Sequence, residues 1–267
     1  MNEAMAKQVI LVIEASATLP AQDGQLWREY LRDPAGIFHY EVLVRMKGES
    51  GQIFLPDSFL PTAERFNLML EVDYWVVENA FKELVAAGGI GRIQLSINLS
   101  SNTLGDDNSF ERIKALLDKY NIPPASIIFE VTETSAIENV DHADGFIKKF
   151  RDLGCKFSLD DFGSGFCSFS QLRNLATDFV KIDEQFVKDM ARGAMDRAIV
   201  TAMNDVAHCL GGSTVAEYVE SPEIFGLLKI CGVDKVQGYY ISKPLKQLPH
   251  GNVVKFQHPR HSSKDTQ

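Results

Sequence analysis

Six successive segments that read as short strands end on Glu41, Asn98, Glu130, Asp160-Asp161, Lys181 and Glu217. The adjacent carboxylates of Asp160 and Asp161 repel one another, and a hard divalent cation removes that repulsion because Mg²⁺ and Mn²⁺ prefer oxygen ligands. Taken alone, this pair reads better as a helix cap or an Asx turn. Glu130 leaves the apolar run Ile127, Ile128 and Phe129, so its carboxylate needs a partner, and a metal is a natural one. Asn98 offers a neutral carbonyl oxygen. Lys181 lies between Val180 and Ile182, where an ammonium is costly unless carboxylates face it. Any one of these residues reads as structural. Together they describe a carboxylate-rich site for one or two divalent ions beside a lysine.

The elements that must position them alternate along the chain. Strands are predicted over residues 8–14, 38–46, 92–98, 126–131, up to 160 from 156, 178–182, 213–217 and 235–238. Helices are predicted over 56–66, 70–87, 110–120, 144–153, 167–174, 194–210 and 222–230, with residues 17–36 irregular. Eight strands with helices between them indicate an α/β fold with a parallel sheet. The count favours a TIM-type (β/α)8 barrel over an open sheet, though periodicity alone does not show closure. In such a barrel the active site forms at the C-terminal ends of the strands, which is where the polar residues fall. Glu41, Leu43 and Arg45 share one strand face, with Glu41 and Arg45 roughly 13 Å apart. That spacing suits a metal ligand and a phosphate-binding guanidinium in one cleft. Glu133, three residues after Glu130, is expected on the following loop.

The 267 residues, 45% hydrophobic and 24% charged, suit one large domain over residues 1–249, with a polar, disordered tail over 250–267. Net charge is −9 and no basic run occurs, which argues against a surface for nucleic-acid polymers or anionic lipid. The apolar run Val9 to Ile13 is too short for a signal peptide or a membrane span. Four cysteines without a C-x-x-C pair read as reduced thiols. A cytoplasmic domain is expected, and the short N-terminus reads as a cut from a longer chain carrying sensory modules.

Several segments resemble the EAL domain, the cyclic di-GMP phosphodiesterase family. They are Tyr40-Glu41-Val42-Leu43-Val44-Arg45, Asn98-Leu99-Ser100, Glu130-Val131-Thr132-Glu133-Thr134, Asp160-Asp161-Phe162-Gly163-Ser164-Gly165, Lys181-Ile182-Asp183, Ala216-Glu217 and Gln237-Gly238-Tyr239. The resemblance runs over residues 8–246 and is far more specific than a short motif. It implies a modified β/α barrel whose first strand runs against the others. The implied activity is opening of cyclic di-GMP to linear pGpG with Mg²⁺ or Mn²⁺, two ions per site. By resemblance, Glu41, Asn98, Glu130 and Asp160 hold the first metal, and Asp160, Asp161 and Glu217 serve the second. Lys181 orients the attacking water, Gln237 sits near it, and Glu133 braces the loop from Asp161 to Gly165. Arg45 contacts a ligand phosphate, with Leu43, Asp183 and Glu14 in the ligand-binding set. The resemblance also implies a homodimer and a partnership with sensory or GGDEF-type domains. No Gly-Gly-Asp-Glu-Phe segment occurs in this chain.

Four departures are visible. Val42 replaces the alanine of the name motif and is expected to alter packing more than chemistry. Glu14 stands where the family has glutamine, so it would repel a phosphate or change a base contact. Tyr218 replaces the glycine after Glu217 and would narrow the mouth of the second metal site. Ser164 for threonine is minor. Glu14, Val42 and Tyr218 also fit a second reading, a receptor that binds cyclic di-GMP without cleaving it. An unrelated metal-dependent barrel enzyme is the third.

Overall fold

The computed structural model describes residues 9–18, 36–138, 140–164, 175 and 177–249. The helix expected over 167–174 and the tail beyond 249 lie outside them. Among the described residues, nine strands form one sheet: β1 (Val9–Thr18), β2 (Phe38–Lys47), β3 (Ile53–Phe54), β4 (Ile93–Asn98), β5 (Ile127–Thr132), β6 (Lys156–Phe162), β7 (Phe179–Ile182), β8 (Ser213–Ala216) and β9 (Lys235–Gln237). Their order is β1-β9-β8-β7-β6-β5-β4-β2-β3, and β1 also pairs with β2. That last pairing closes an eight-stranded barrel and leaves β3 as an outlying edge. β1 is antiparallel to both its neighbours, while β2 and β4 to β9 run parallel. The expected modified barrel with one reversed strand is the observed one.

Helices α1 (Pro56–Arg65), α2 (Met69–Ala86), α3 (Ser101–Gly105), α4 (Ser109–Tyr120), α5 (Glu133–Glu138), α6 (Val140–Leu153), α7 (Glu184–Val187), α8 (Ala194–Cys209) and α9 (Pro222–Ile230) accompany the strands. The long helices follow from their patterning. In α2, Val72, Val76, Val77, Ala80, Phe81 and Leu84 recur at helical spacing and are buried. In α4, Ile113 and Leu117 do the same, and Asn121 ends the helix at φ 51°.

The sequence pattern missed the short helices α3, α5 and α7, and α6 begins four residues earlier than expected. Helices of four to six residues complete too few turns to show a period. Glu133 therefore opens a helix rather than sitting on a loop. β1 also reaches Ala17 and Thr18, which pair with Val236 and Lys235 of β9, a contact between the ends of the chain that no local pattern reveals.

The main hydrophobic core lies between the sheet and its helices. Phe150 is its hub, with ring centroids 4.9 Å from Phe110, 5.0 Å from Phe129 and 4.8 Å from Phe146. Val42 is buried in this core. Among the described residues, Ile128, Phe179 and Val215 form a separate small apolar cluster inside the barrel, and the space above it is polar.

The site end of the barrel depends on one close backbone approach. Val219 N donates to Gln237 O at 2.9 Å, and Tyr240 N donates to Val219 O at 2.9 Å. Gly238 sits between these bonds at φ 144°, and a Cβ there would lie 2.6 Å from the Val219 carbonyl oxygen. Gly238→Ala is expected to cost about 1–3 kcal/mol in urea unfolding, through a backbone conformation alanine resists. Unfolding at the same urea concentration as the parent would show that the clasp has slack.

Candidate metal centre at the C-terminal mouth of the barrel

The sequence-predicted acidic residues converge on one ammonium. Lys181, on β7, is 2% exposed. Its Nζ lies 2.8 Å from Glu130 on β5, 2.8 Å from Glu217 just after β8, 3.1 Å from Asp160 on β6 and 3.3 Å from Glu41 on β2. Two neutral amides fix Glu41 from the sides: Asn98 Nδ2 donates to its Oε1 at 2.8 Å, and Gln237 Nε2 to its Oε2 at 2.6 Å. The Asn98 bond leaves that residue's carbonyl oxygen free of this contact.

Two backbone features aim the remaining groups. In a regular strand, Asp160 and Asp161 would point to opposite faces. Here the β6–β7 register shifts between Leu159 and Phe162, and Asp161 adopts φ 55°. Such a bulge re-aims a side chain, and Asp160, Asp161 and Glu217 bring carboxylate oxygens within 4.8 Å of one another. Glu41, Glu130 and Asp160 form a second such group. Glu133, at the start of α5 and buried, accepts from Gly163 N at 3.0 Å, which ties the turn after Asp161 to β5.

The electrostatics ask for more positive charge than Lys181 supplies. Burial, reinforced by Glu41 and Asp160 against the opposing Lys181, raises the Glu130 carboxyl to about 8. Burial, with Asp160 and Asp183 adding repulsion, raises Asp161 to about 6. Burial also raises Glu217 well above the carboxylate range. Glu41 is the exception: burial opposes its ionisation, but Lys181, Gln237 and Asn98 hold its pKa below the ordinary value. Lys181 is raised in spite of burial, by Asp160, Glu130, Glu217 and Glu41, and stays charged. All-oxygen clusters held short of full ionisation are the donor set that a hard divalent cation fits.

The substrate-binding candidates are more dispersed. Glu14 of β1 stands opposite Glu41 and is raised to about 7, by burial first and Glu41 second, with Gln237 and Arg45 opposing. Arg45 is half-buried on β2, and its Nη1 donates to Val44 O at 2.8 Å. Leu43 is half-buried on the same strand, opposite Val12. Asp183 caps α7, accepting from Gln185 N at 2.7 Å. Tyr218 takes φ 56° and is 41% exposed. With Glu14, Glu217, Gln237 and Tyr239 it lines an open pocket of about 330 Å³, so the tyrosine forms a wall of the mouth without closing it.

Sequence reading passed over one buried carboxylate that shapes this end. Asp73 of α2 accepts from Ser100 N at 2.8 Å, Ser100 Oγ at 2.6 Å and Thr103 Oγ1 at 2.7 Å. It thereby fixes the turn directly after Asn98. Its signal was a lone aspartate on an otherwise apolar helix face.

The family model described as "EAL domain" matches residues 34–244. The chain belongs to the EAL domain family. Among curated relatives, this EAL domain is 43% identical over 205 residues to the cyclic di-GMP phosphodiesterase PdeB of Shewanella oneidensis, covering 76% of this chain and 24% of that protein. It is 36% identical over 210 residues to the cyclic di-GMP phosphodiesterase PdeF of Escherichia coli, covering 78% and 28%. The chain thus spans about a quarter of the length of these relatives. Among solved structures it is similar to the FimX EAL domain of Pseudomonas aeruginosa bound to c-di-GMP. The TM-score is 0.80 at 25% identity, over 92% of this chain and 95% of that one. The PaMucR phosphodiesterase in complex with c-di-GMP gives a TM-score of 0.78 at 26% identity, over 90% and 92%. No helix among the described residues is long and apolar enough to cross a membrane.

The raised carboxyls set a direction for pH dependence. Glu130 and Glu14 move from 4.5 to about 8 and about 7, and Asp161 from 3.8 to about 6. A folded-state pKa above the unfolded one gives stability that is complete at low pH and lost as pH rises through the folded value. The EDTA-treated EAL domain is therefore expected to melt at lower temperature as pH rises from 5.5 to 8.5. Mn²⁺ should restore more of the melting temperature at 8.5 than at 5.5, since protons compete with the ion for the same oxygens. A melting temperature that rises with pH in EDTA would contradict this charge balance.

Proposed function

We propose that this EAL domain is a metal-dependent phosphodiesterase that opens cyclic di-GMP to linear pGpG, with two Mg²⁺ or Mn²⁺ ions per site. The observation that carries the reading is the complete layer of Glu41, Asn98, Glu130, Asp160, Asp161 and Glu217 around Lys181, in a family whose relatives bear that activity in their names. Glu41, Asn98, Glu130 and Asp160 would hold one ion, and Asp160, Asp161 and Glu217 the other. Bound metal supplies a nucleophile at neutral pH and relieves charge on the phosphoryl oxygens.

The chain's own residues do the positioning. Lys181 keeps its proton and presents an ammonium to the reacting centre, which suits orienting an oxygen nucleophile and stabilising developing negative charge rather than taking a proton. Asn98 and Gln237 lock Glu41 in one rotamer, so its carboxylate needs little reorganisation when the centre is filled. Glu133 holds Gly163, and with it the turn that carries Asp161. Arg45, Leu43, Asp183 and Glu14 would form the ligand-contacting set, with the Arg45 guanidinium able to offer paired donors to a phosphate.

A receptor that binds cyclic di-GMP intact is the second reading. Glu14, as a carboxyl raised to about 7 beside Glu41, is the observation that favours it, because crowding a metal-ligand candidate weighs on turnover more than on the open pocket that would hold the dinucleotide.

Incubation with cyclic di-GMP in Mg²⁺, Mn²⁺ or EDTA, followed by chromatography, separates the two. Metal-dependent pGpG is expected, while unchanged dinucleotide with tight binding would establish the receptor. Glu41→Ala and Glu130→Ala are each expected to abolish turnover, and normal activity in either would sink the site assignment. Lys181→Ala should lose at least about a hundredfold in rate, the scale of a lost electrostatic contact, while still binding Mn²⁺. Undiminished turnover in that variant would remove Lys181 from the mechanism.

A further inference from the structure

Beneath the acidic layer lies a floor whose residues sit two positions earlier on the same strands. His39 lies under Glu41, Ser96 under Asn98, Ser158 under Asp160 and Lys235 under Gln237, as strand alternation requires. Barrel interiors are ordinarily filled by branched aliphatic side chains. Here two floor positions are serines, and a cavity remains between the layers. It offers about 20 Å³ to the centre of a water molecule and is lined by Ser96, Ser158, Glu130 and Lys235 among others. One water needs about 10–15 Å³ on that measure, together with two to four polar partners.

Ser158 points the cavity's purpose. It is 1% exposed, and its Oγ has no hydrogen-bond partner among the described residues. Its cross-strand neighbour on β5 is Glu130, yet the two do not bond directly, and Glu130 Oε2 accepts from Lys181 at 2.8 Å. A buried hydroxyl beside a polar, water-sized space and a crowded carboxylate is the arrangement that one ordered water completes.

We propose that Ser158 is a positioning residue that holds a buried water beneath Glu130, and through it keeps the Glu130 carboxylate in the geometry the metal centre needs. Ser158 touches neither substrate nor metal. Its effect passes through one hydrogen-bonded water to a ligand, as outer partners of metal ligands do, where loss commonly weakens metal binding by 10–100-fold. The inference rests on the metal-centre reading above.

Three measurements test it. A high-resolution crystal structure should show a water bonded to both Ser158 Oγ and Glu130; a dry cavity, or a water that does not reach Glu130, overturns the proposal. Mn²⁺ titration followed by electron paramagnetic resonance should show about tenfold weaker binding in Ser158→Val, which removes the hydroxyl and fills the space. The melting temperature of that metal-free variant should stay near the parent's, because valine fills the space that the hydroxyl and its water occupied. Unchanged Mn²⁺ affinity overturns the proposal, as does a loss of affinity that merely tracks a loss of folding. Should the valine variant fail to fold, Ser158→Ala decides: weaker Mn²⁺ binding with the melting temperature retained supports the role, and parental affinity overturns it. A parent protein that binds no Mn²⁺ would instead overturn the metal-centre reading, and this inference with it. A parent that binds Mn²⁺ while both variants match it would overturn this inference alone.

Discussion

The site depends on one buried ammonium. Moving a lysine charge from water into a barrel interior is costly by several kcal/mol, and only close, well-oriented carboxylates offset it. Lys181 has four within 3.3 Å. The converse holds as well, for those four carboxylates could not crowd together without a cation among them. Lysine alone leaves the cluster with surplus negative charge, which is why Glu130 and Glu217 resist ionisation while Glu41, braced by two amides, does not. The same imbalance leaves acidic groups that could hold a divalent cation.

That arrangement is possible because the barrel divides its labour. Its outer surface, against the helices, carries the large aromatic and aliphatic core in which Phe81, Phe129, Phe150 and Phe157 are fully buried. Hydrophobic stability is thus drawn from the sheet–helix interface, and the interior is released for polar residues. The reversed strand β1 contributes more than closure. Its antiparallel pairing with β2 sets Glu14 across from Glu41, adding a titratable group to the rim of the same centre.

Several components of the centre are legible one strand at a time. A carboxylate or lysine that ends an apolar strand is conspicuous, and Glu41, Glu130, Asp160, Lys181 and Glu217 could all be picked out that way. Asn98 ends its strand in the same way, and Gln237 stands out by the family resemblance alone. Their work of fixing Glu41 shows only in the hydrogen bonds they donate. Asp73 was hidden for the same reason, because its partners Ser100 and Thr103 lie 27 and 30 residues away. Asp183 reads equally as ligand contact and helix cap, and the cap is what the fold displays.

The sequence by itself determined the α/β alternation, the eight barrel strands, the family and the chemical character of the strand ends. These follow from local periodicity and from which residue types follow an apolar run. Closure of the barrel by β1, the bulge that turns Asp161 toward Asp160, the left-handed backbone at Asp161 and Tyr218, and the meeting of four carboxylates on Lys181 were decided by the tertiary structure alone. Each depends on pairing between residues far apart in the chain, and a register shift or a positive φ leaves no periodic trace in the residues that adopt it.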